Sequence, residues 1–555
     1  MIKKIILVAS LLTALSFSPA SAQNSMPLSG IPQYAPSVLS VSLNAEARKS
    51  LAKTVTALSG LREFSAAKIL YEKSIGVPMP IELLGYAGVL EGFDIATFIT
   101  DTSKRPSVLT IFKFIDEKSA ASFIASIKSA IQKTAVESKN PVVITEKKES
   151  GFRIFSQEAG KGASYDPFLK EKPMFFTNGK TVVMYLFQNS DATNSARYLA
   201  DCLACIKSGK GSFLSNPNLA AIQKTAGNYQ IIFYMDGALI KDGAIKAGSK
   251  EMSEAVNYLL YLATINENFT RISGLLRISL NKDPKLETSS TGFIKKLISA
   301  QPSKINPFAL APKGTSALAY FNINLDADFI NSPLISGIKF LTGLLGISAD
   351  NDVFPWLSAP LFAFICEDGG MLTGAGASDP KKAEAAVEKI AATAKSDFEI
   401  ADESTDSIKF KNFIKKDGVS FSAGTFSNAF IAAIGQDAFL KSAAAAKDTG
   451  SSLMAAAKFT SIMKYDPTSF FGFFADCEGY NLALTEIRKK LPGFSTRKFP
   501  FSILSMAVSA ALKDGDIVAA IVLNIRADNF IEDLKQGLSS ANLIENIFNN
   551  IPLKK

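Results

Sequence analysis

The sequence predicts an α+β protein of two tandem duplicated halves, each an antiparallel sheet with helices packed on one face. Three observations carry this expectation. Alternating apolar strands meet at two-residue turns, around Asn178-Gly179 and Asp514-Gly515, and connections that short force antiparallel pairing. Between strands lie segments with one apolar helical face, as in 119–132, where residues 120, 123, 124, 127 and 131 are apolar. Six blocks then recur in the same order along the chain.

The elements follow in order. Residues 1–22 read as an export signal. Lys3 and Lys4 precede an apolar run from Ile5 to Phe17, and Ala20-Ser21-Ala22 forms an A-x-A cleavage site, so the mature chain is expected to begin at Gln23. The run falls short of the ~20 residues of a spanning helix, and no Cys follows the junction. Neither a transmembrane nor a lipid anchor is expected after cleavage.

The first α+β repeat spans 23–300 and the second 315–555, joined by a linker at 301–314 with Pro302, Pro307 and Pro312. The strand at 37–46 lies over 319–328, 92–101 over 358–367, and the helical stretch 115–127 over 378–390. Next, 172–192 lies over 417–438, 229–237 over 470–479, and 275–283 over 520–528. Asp116 and Asp379 each precede a helix, where a carboxylate accepts the free amide hydrogens of the first turn, and Pro380 suits the first helical position. The apolar runs 501–512 and 516–525 flank Asp514-Gly515 as two buried strands.

Composition narrows the chemistry. The chain has 555 residues, 47% hydrophobic and 20% charged, which suits a folded globular protein of several domains or two large ones. It contains no His, which excludes histidine triads, His-ligated zinc or haem, and His-based proton transfer. The net charge of +9 is spread along the chain without basic runs, so nucleic acid is not an expected partner. Phe outnumbers Tyr by 41 to 13, with one Trp, which suggests a dry interior and would also suit an acyl-chain pocket.

Each motif with chemical content has a plainer reading. Cys202 and Cys205 form a C-x-x-C late in a helix, where a thiolate is disfavoured, so redox catalysis is not expected. In an oxidising compartment four Cys suggest up to two disulfides with three pairings open; Cys366 with Cys477 is favoured because both end apolar strands. Gly179-Lys180-Thr181 lacks the earlier glycine of a phosphate loop, Met174 standing there, and reads as a hairpin. Gly369-Gly370 and Gly374 with Gly376 read as a turn and a close-packed strand. Asp350-Asn351-Asp352 lacks the glycine and distal Glu of a calcium loop. The pairs Glu367/Asp368 and Asp476/Glu478 could serve hydrolysis, but charged strand ends are ordinary. No metal or cofactor site is expected.

The block 310–323, opening Leu310-Ala311-Pro312, is similar to the opening of exported bacterial envelope proteins of unknown function with a duplicated α+β domain. In these a turn leads into a strand and an Asp-x-Lys-x-Ala helix follows. Asp379-Pro380-Lys381-Lys382-Ala383 fits that pattern, and Asp116-Glu117-Lys118-Ser119-Ala120 resembles it. The resemblance implies an envelope location and no catalytic residue. The expected function is that of an exported, soluble, periplasmic or extracellular protein acting as a non-enzymatic binding or structural module. The alternative is a carrier of a hydrophobic ligand such as a lipid, in a Phe-rich cavity. The expected partner is accordingly an envelope protein or a hydrophobic small molecule.

Overall fold

Asp116 accepts from the Ser119 backbone N–H at 2.6 Å and Asp379 from that of Lys382 at 3.2 Å, so both carboxylates cap helices as the sequence requires. These helices belong to different compact units of the computed structural model, Met1–Gly274 with Ala527–Lys555, and Leu275–Arg526. The structure describes residues 28–43, 85–98, 107–137, 142–149, 151–159, 174–186, 192–219, 229–240, 256–266, 270–281, 295–299, 303–325, 346–405, 408–415, 418–491, 498–499 and 503–526, with single positions at 45–52 and 330–343. The export signal and its Ala22–Gln23 junction lie outside the described residues.

The first unit contains β1 (Ser37–Ser42), β2 (Leu90–Phe98), β3 (Ser107–Phe114), α1 (Glu117–Glu137), β4 (Val142–Glu149), β5 (Phe152–Ala159), β6 (Met174–Asn178), β7 (Thr181–Leu186), α2 (Ala192–Ser208), β8 (Ile231–Asp236) and β9 (Val256–Ile265). Neighbours pair antiparallel in the order β4-β5-β6-β7-β3-β2-β1-β8-β9. The apolar face of α1 buries Phe123, Ile124 and Ile127 against Phe114, Phe155 and Phe175. Each such side chain contributes roughly 1.5–3 kcal/mol by leaving water. Among the described residues of this unit, one charged side chain is fully buried. Asp94 is fully buried, accepts from Ser40 Oγ at 2.5 Å and from the Leu28 N–H at 3.1 Å, and pairs with Lys113 at 3.1 Å. With every partner present, its burial is tolerated.

β10 (Arg271–Leu280) contains the point of division. The second unit continues with β11 (Thr315–Phe321), β12 (Leu357–Cys366), β13 (Met371–Ala377), α3 (Pro380–Ala394), β14 (Glu399–Thr405), β15 (Ile408–Ile414), β16 (Phe421–Phe426), β17 (Ala429–Ile434), α4 (Gln436–Lys447), β18 (Ser469–Asp476), α5 (Cys477–Lys490), β19 (Ile503–Lys513) and β20 (Asp516–Ile525). Its order is β14-β15-β16-β17-β13-β12-β11-β18-β19-β20, again antiparallel throughout. Tyr320 lies so close over Gly472 that a Cβ there would come within 2.0 Å of the ring, which is why this Phe-rich strand carries a glycine.

The antiparallel α+β class is as expected, but the helices cover both faces. In the second unit α4 packs Phe439 with Phe410, Ile431 and Phe364, while α3 packs Val387 with Phe413 and Ala423, the alternate side chains of the same strands. The reason is in the strands: AFIAAI and IKFKNFI carry apolar residues on both faces, so both need cover. The first unit does likewise. α1 covers Phe112 and Phe114, and Ile206 of α2 crowds Gly30 together with Ile111, the residue between Phe112 and Thr110 in β3.

Two further expectations shift. The hairpin at Asn178-Gly179 turns one residue later, since Asn178 still pairs with Thr181 and the loop is Gly179-Lys180, with positive φ only at Gly179. That is the type II′ pattern, with glycine first, instead of I′. The described part of the linker, 303–314, is built into the second unit. Asn306 caps a short helix, Pro307–Leu310, whose Phe308 is fully buried against Tyr320 and Phe459. Pro307 opens that helix and Pro312 bridges to Ser452.

Candidate functional site at the charged end of the second sheet

β12 and β18 flank β11, and both end at the same side of the sheet. This brings together the two carboxylate pairs read from the sequence. Glu367 and Asp368 follow β12; Asp476 ends β18, and Glu478 lies in the first turn of α5. A Cβ on Gly479 would lie 3.0 Å from Asp476 Oδ2 and 3.2 Å from Glu367 Oε1, so both carboxylates face that glycine. Asp476 is buried, while Glu367 and Glu478 are exposed.

Lysines fasten the cluster. Lys458 Nζ donates to Asp476 Oδ2 at 2.6 Å. Lys441 donates to Asp368, which also accepts from the Gly370 N–H at 2.9 Å and so closes the turn. The hydrogen bond to Asp476 holds the Lys458 ammonium above its ordinary pKa, with Glu367 and Glu478 adding to it. Asp368 does the same for Lys441. Both lysines therefore stay protonated and act as counter-ions.

The thiols nearby are neutral. Burial, reinforced by Asp368, pushes Cys366 up to about 11; burial and Asp476 push Cys477 up to about 12. A nucleophilic cysteine needs the opposite shift. All four cysteines are free and buried. Cys366 belongs to the core under α4 and Cys477 to the core under α5, on opposite faces with β11 between them, so the favoured 366–477 bridge is not formed. A disulfide needs Cα atoms within about 7 Å and converging Cβ vectors. In α2, burial raises the pKa of both Cys202 and Cys205.

The remaining motifs have structural uses. Asp350 pairs with Lys339 at 2.8 Å and Asp352 with Lys389, while Asp352 also accepts from the Ser348 N–H at 2.9 Å, so both carboxylates hold a turn. A Cβ on Gly374 would meet Phe362 at 2.4 Å and the Phe430 carbonyl at 2.6 Å, which is close strand packing. A cleft between α1 and β4–β6, lined by Ile124, Ile127, Lys128, Ile144 and Phe155, has a volume of about 10 Å³, room for roughly one water. Among the described residues no helix is long and apolar enough to cross a membrane.

Sequence reasoning missed one surface cluster in the first unit. Tyr34 Oη donates to Asp201 Oδ2 at 2.5 Å, and Arg197 lies 5.7 Å from its ring and 3.7 Å from Asp201. Phe98 and Tyr198 stack at 4.6 Å beside it. Burial and the Asp201 bond push the Tyr34 phenol far up. The only sequence signal was Arg197 and Asp201 at helical i,i+4 spacing.

No family model matches the chain, and no curated protein matches it. Among solved structures, TP0453 in crystal form III is similar over 42% of this chain and 99% of its own, at 10% identity and a TM-score of 0.22. Crystal form I of TP0453 is similar over 43% of this chain and 100% of its own, at 10% identity and a TM-score of 0.20. Likeness at this level carries no argument about function.

Proposed function

We propose that this chain is an exported, non-enzymatic binding or structural module of the cell envelope, made of two copies of one α+β domain. The observation that carries the non-enzymatic reading is how the reactive groups are used. Asp368 and Asp476 are tied to lysines, and Cys366 and Cys477 are buried as thiols. A nucleophilic cysteine needs a lowered pKa, and a carboxylate acting as general acid or base needs reach to a substrate proton, which a buried Asp476 held by Lys458 does not have.

Shared detail supports the two-copy reading. Both units place a four-strand meander after the first helix and return its last strand beside the third. Pro32 bridges to Ser212 and Pro312 to Ser452; the Phe213 N–H donates to the Ile31 carbonyl and the Leu453 N–H to that of Ala311. Those contacts lay Pro32 over Pro312, two residues away from the overlay of Ser37 on Ala319 read in the sequence.

One observation favours the second reading, a carrier of apolar ligand. On the face under α3 and α5, the cross-strand row Thr373, Ala363, Ala319, Phe473, Val508 and Ile521 holds no charge. Phe321, beside it, is 47% exposed and meets Phe471 at 5.0 Å. Native mass spectrometry of protein from its own envelope fraction, followed by solvent extraction, separates the two. A clean apo mass supports the scaffold reading; a stoichiometric apolar molecule supports the carrier. Turnover of ester, peptide or glycoside substrates that is lost in Asp476→Asn would overturn both.

A further inference from the structure

We propose that the β4 edge of one molecule and the β14 edge of another pair antiparallel, joining copies of this chain head to tail. β4 pairs with β5, and β14 with β15; among the described strands neither has a neighbour on its outer side. Such an edge presents unused backbone donors and acceptors and is a template for strand addition. Neither strand contains Pro, and the charges that protect each edge from its own kind, Lys147 and Lys148 on β4 and Asp402 and Glu403 on β14, are opposite in sign on the two strands.

Charge selects the partner. β4 reads VVITEKKE and β14 reads EIADEST. With Thr145 opposite Thr405, Lys147 falls opposite Glu403 and Lys148 opposite Asp402. The faces agree. Ile144 packs under α1 and Glu146 meets Lys128 of α1, so even-numbered residues of β4 face the helix. Ile400 packs under α3, and Asp402 shares Lys411 with Glu388 of α3, so even-numbered residues of β14 do the same. Lys148 and Asp402 therefore meet on one face, and Lys147 and Glu403 on the other.

Alternative registers are penalised. A slip of two residues one way sets Glu146 against Asp402, and the other way Glu149 against Glu403. A slip of one mismatches the faces. Two β14 edges repel, because each carries Glu399, Asp402 and Glu403. The local ion pair of Lys147 with Glu149 joins two exposed side chains and gives way at little cost, while Lys411, which is largely buried, keeps Glu388 as a partner when the exposed Asp402 turns to Lys148. The contact is small and heterologous, so association is weak and open-ended.

Sedimentation velocity over about 10–500 µM tests this, at low and high salt. The wild-type chain is expected to associate with rising concentration and to dissociate in high salt. Lys147→Glu/Lys148→Glu and Asp402→Lys/Glu403→Lys are each expected to stay monomeric alone, and their equimolar mixture to regain association. Circular dichroism confirms that both variants fold; if either does not, Thr145→Pro and Ser404→Pro block the same two edges. A wild-type chain that remains monomeric at every concentration overturns the proposal. So does a mixture of folded charge variants that fails to associate.

Discussion

Lys458 donates to the buried carboxylate of Asp476 at 2.6 Å, tying the helical turn Ala457–Thr460 to the point where β18 becomes α5. At the end of β8 in the first unit, Asp236 instead uses its carboxylate locally, accepting from the Ala238 N–H at 2.8 Å.

Lys458→Met leaves Asp476 buried without its cation. Breaking a fully buried pair costs about 3–5 kcal/mol, but the Lys458 side chain is 63% exposed, so about 1–2 kcal/mol is expected. Urea midpoints at constant m-value measure it. Asp476→Asn in the Lys458→Met background should recover part of the loss, because the unpaired charge is gone. Equal stability of wild type and Lys458→Met would remove this role.

Alkaline pH should weaken the fold through its thiols. Cys366 at about 11 and Cys477 at about 12 lie above the ordinary value of 9.0. A raised pKa stabilises fully below the unfolded value, and the gain is lost as pH rises through the folded one. The window is therefore from about pH 9 upward, on the order of 2 kcal/mol for Cys366 alone. Lys411, Lys441 and Lys458, also raised, add a loss of the same sign above their ordinary 10.5. Midpoints at pH 8 and pH 10.5 should differ, and Cys366→Ala should reduce the difference. A thiol reagent should count no reactive cysteine in the native chain and four in urea.

Strand alternation, caps and most turns were legible because they depend on near neighbours. Asp379-Pro380 fixes a helix start from two residues, and Asp514-Gly515 takes positive φ at both positions as a type I′ turn requires. The overlay of β1 on β11 is fixed by sequence only to within two residues, because side chains alternate with period two and such a slip leaves the pattern intact. The second helical layer was missed because short runs such as AFIAAI carry no period. The charged end was half visible: Glu367, Asp368, Asp476 and Glu478 stood out, but Lys458 and Lys441 lie on helices whose placement the sequence does not set, and only the fold brings them there.

Asp516 anchors β10 to the start of β20. Arg277 approaches it at 2.5 Å, and Ser279 Oγ and the Leu280 N–H donate at 3.1 and 3.2 Å. The carboxylate is nearly buried and Arg277 largely so. Asp516→Ala should cost about 1–3 kcal/mol, since the Arg277, Ser279 and Leu280 donors all lose this acceptor. Arg277→Met should cost less, because Ser279 and Leu280 still hold the carboxylate. A double-mutant cycle should show coupling above ~0.5 kcal/mol; strict additivity would mean the two residues act separately.

Tyr320 offers the opposite case, a side chain improved by losing an atom. Its hydroxyl is buried and makes no well-aligned hydrogen bond among the described residues, although Ser469 lies close enough to favour its ionised form slightly, while its ring packs on Phe308 and Tyr465. Burial pushes the phenol far up, so the group stays neutral. Removing a buried donor that makes no bond relieves a desolvation cost of about 1 kcal/mol and leaves the ring contacts intact. Tyr320→Phe should raise the stability read from urea midpoints, whereas Tyr320→Ala should lower that stability by about 3–5 kcal/mol through the cavity it opens. A destabilised Tyr320→Phe would show that the hydroxyl is bonded, with Ser469 the candidate partner.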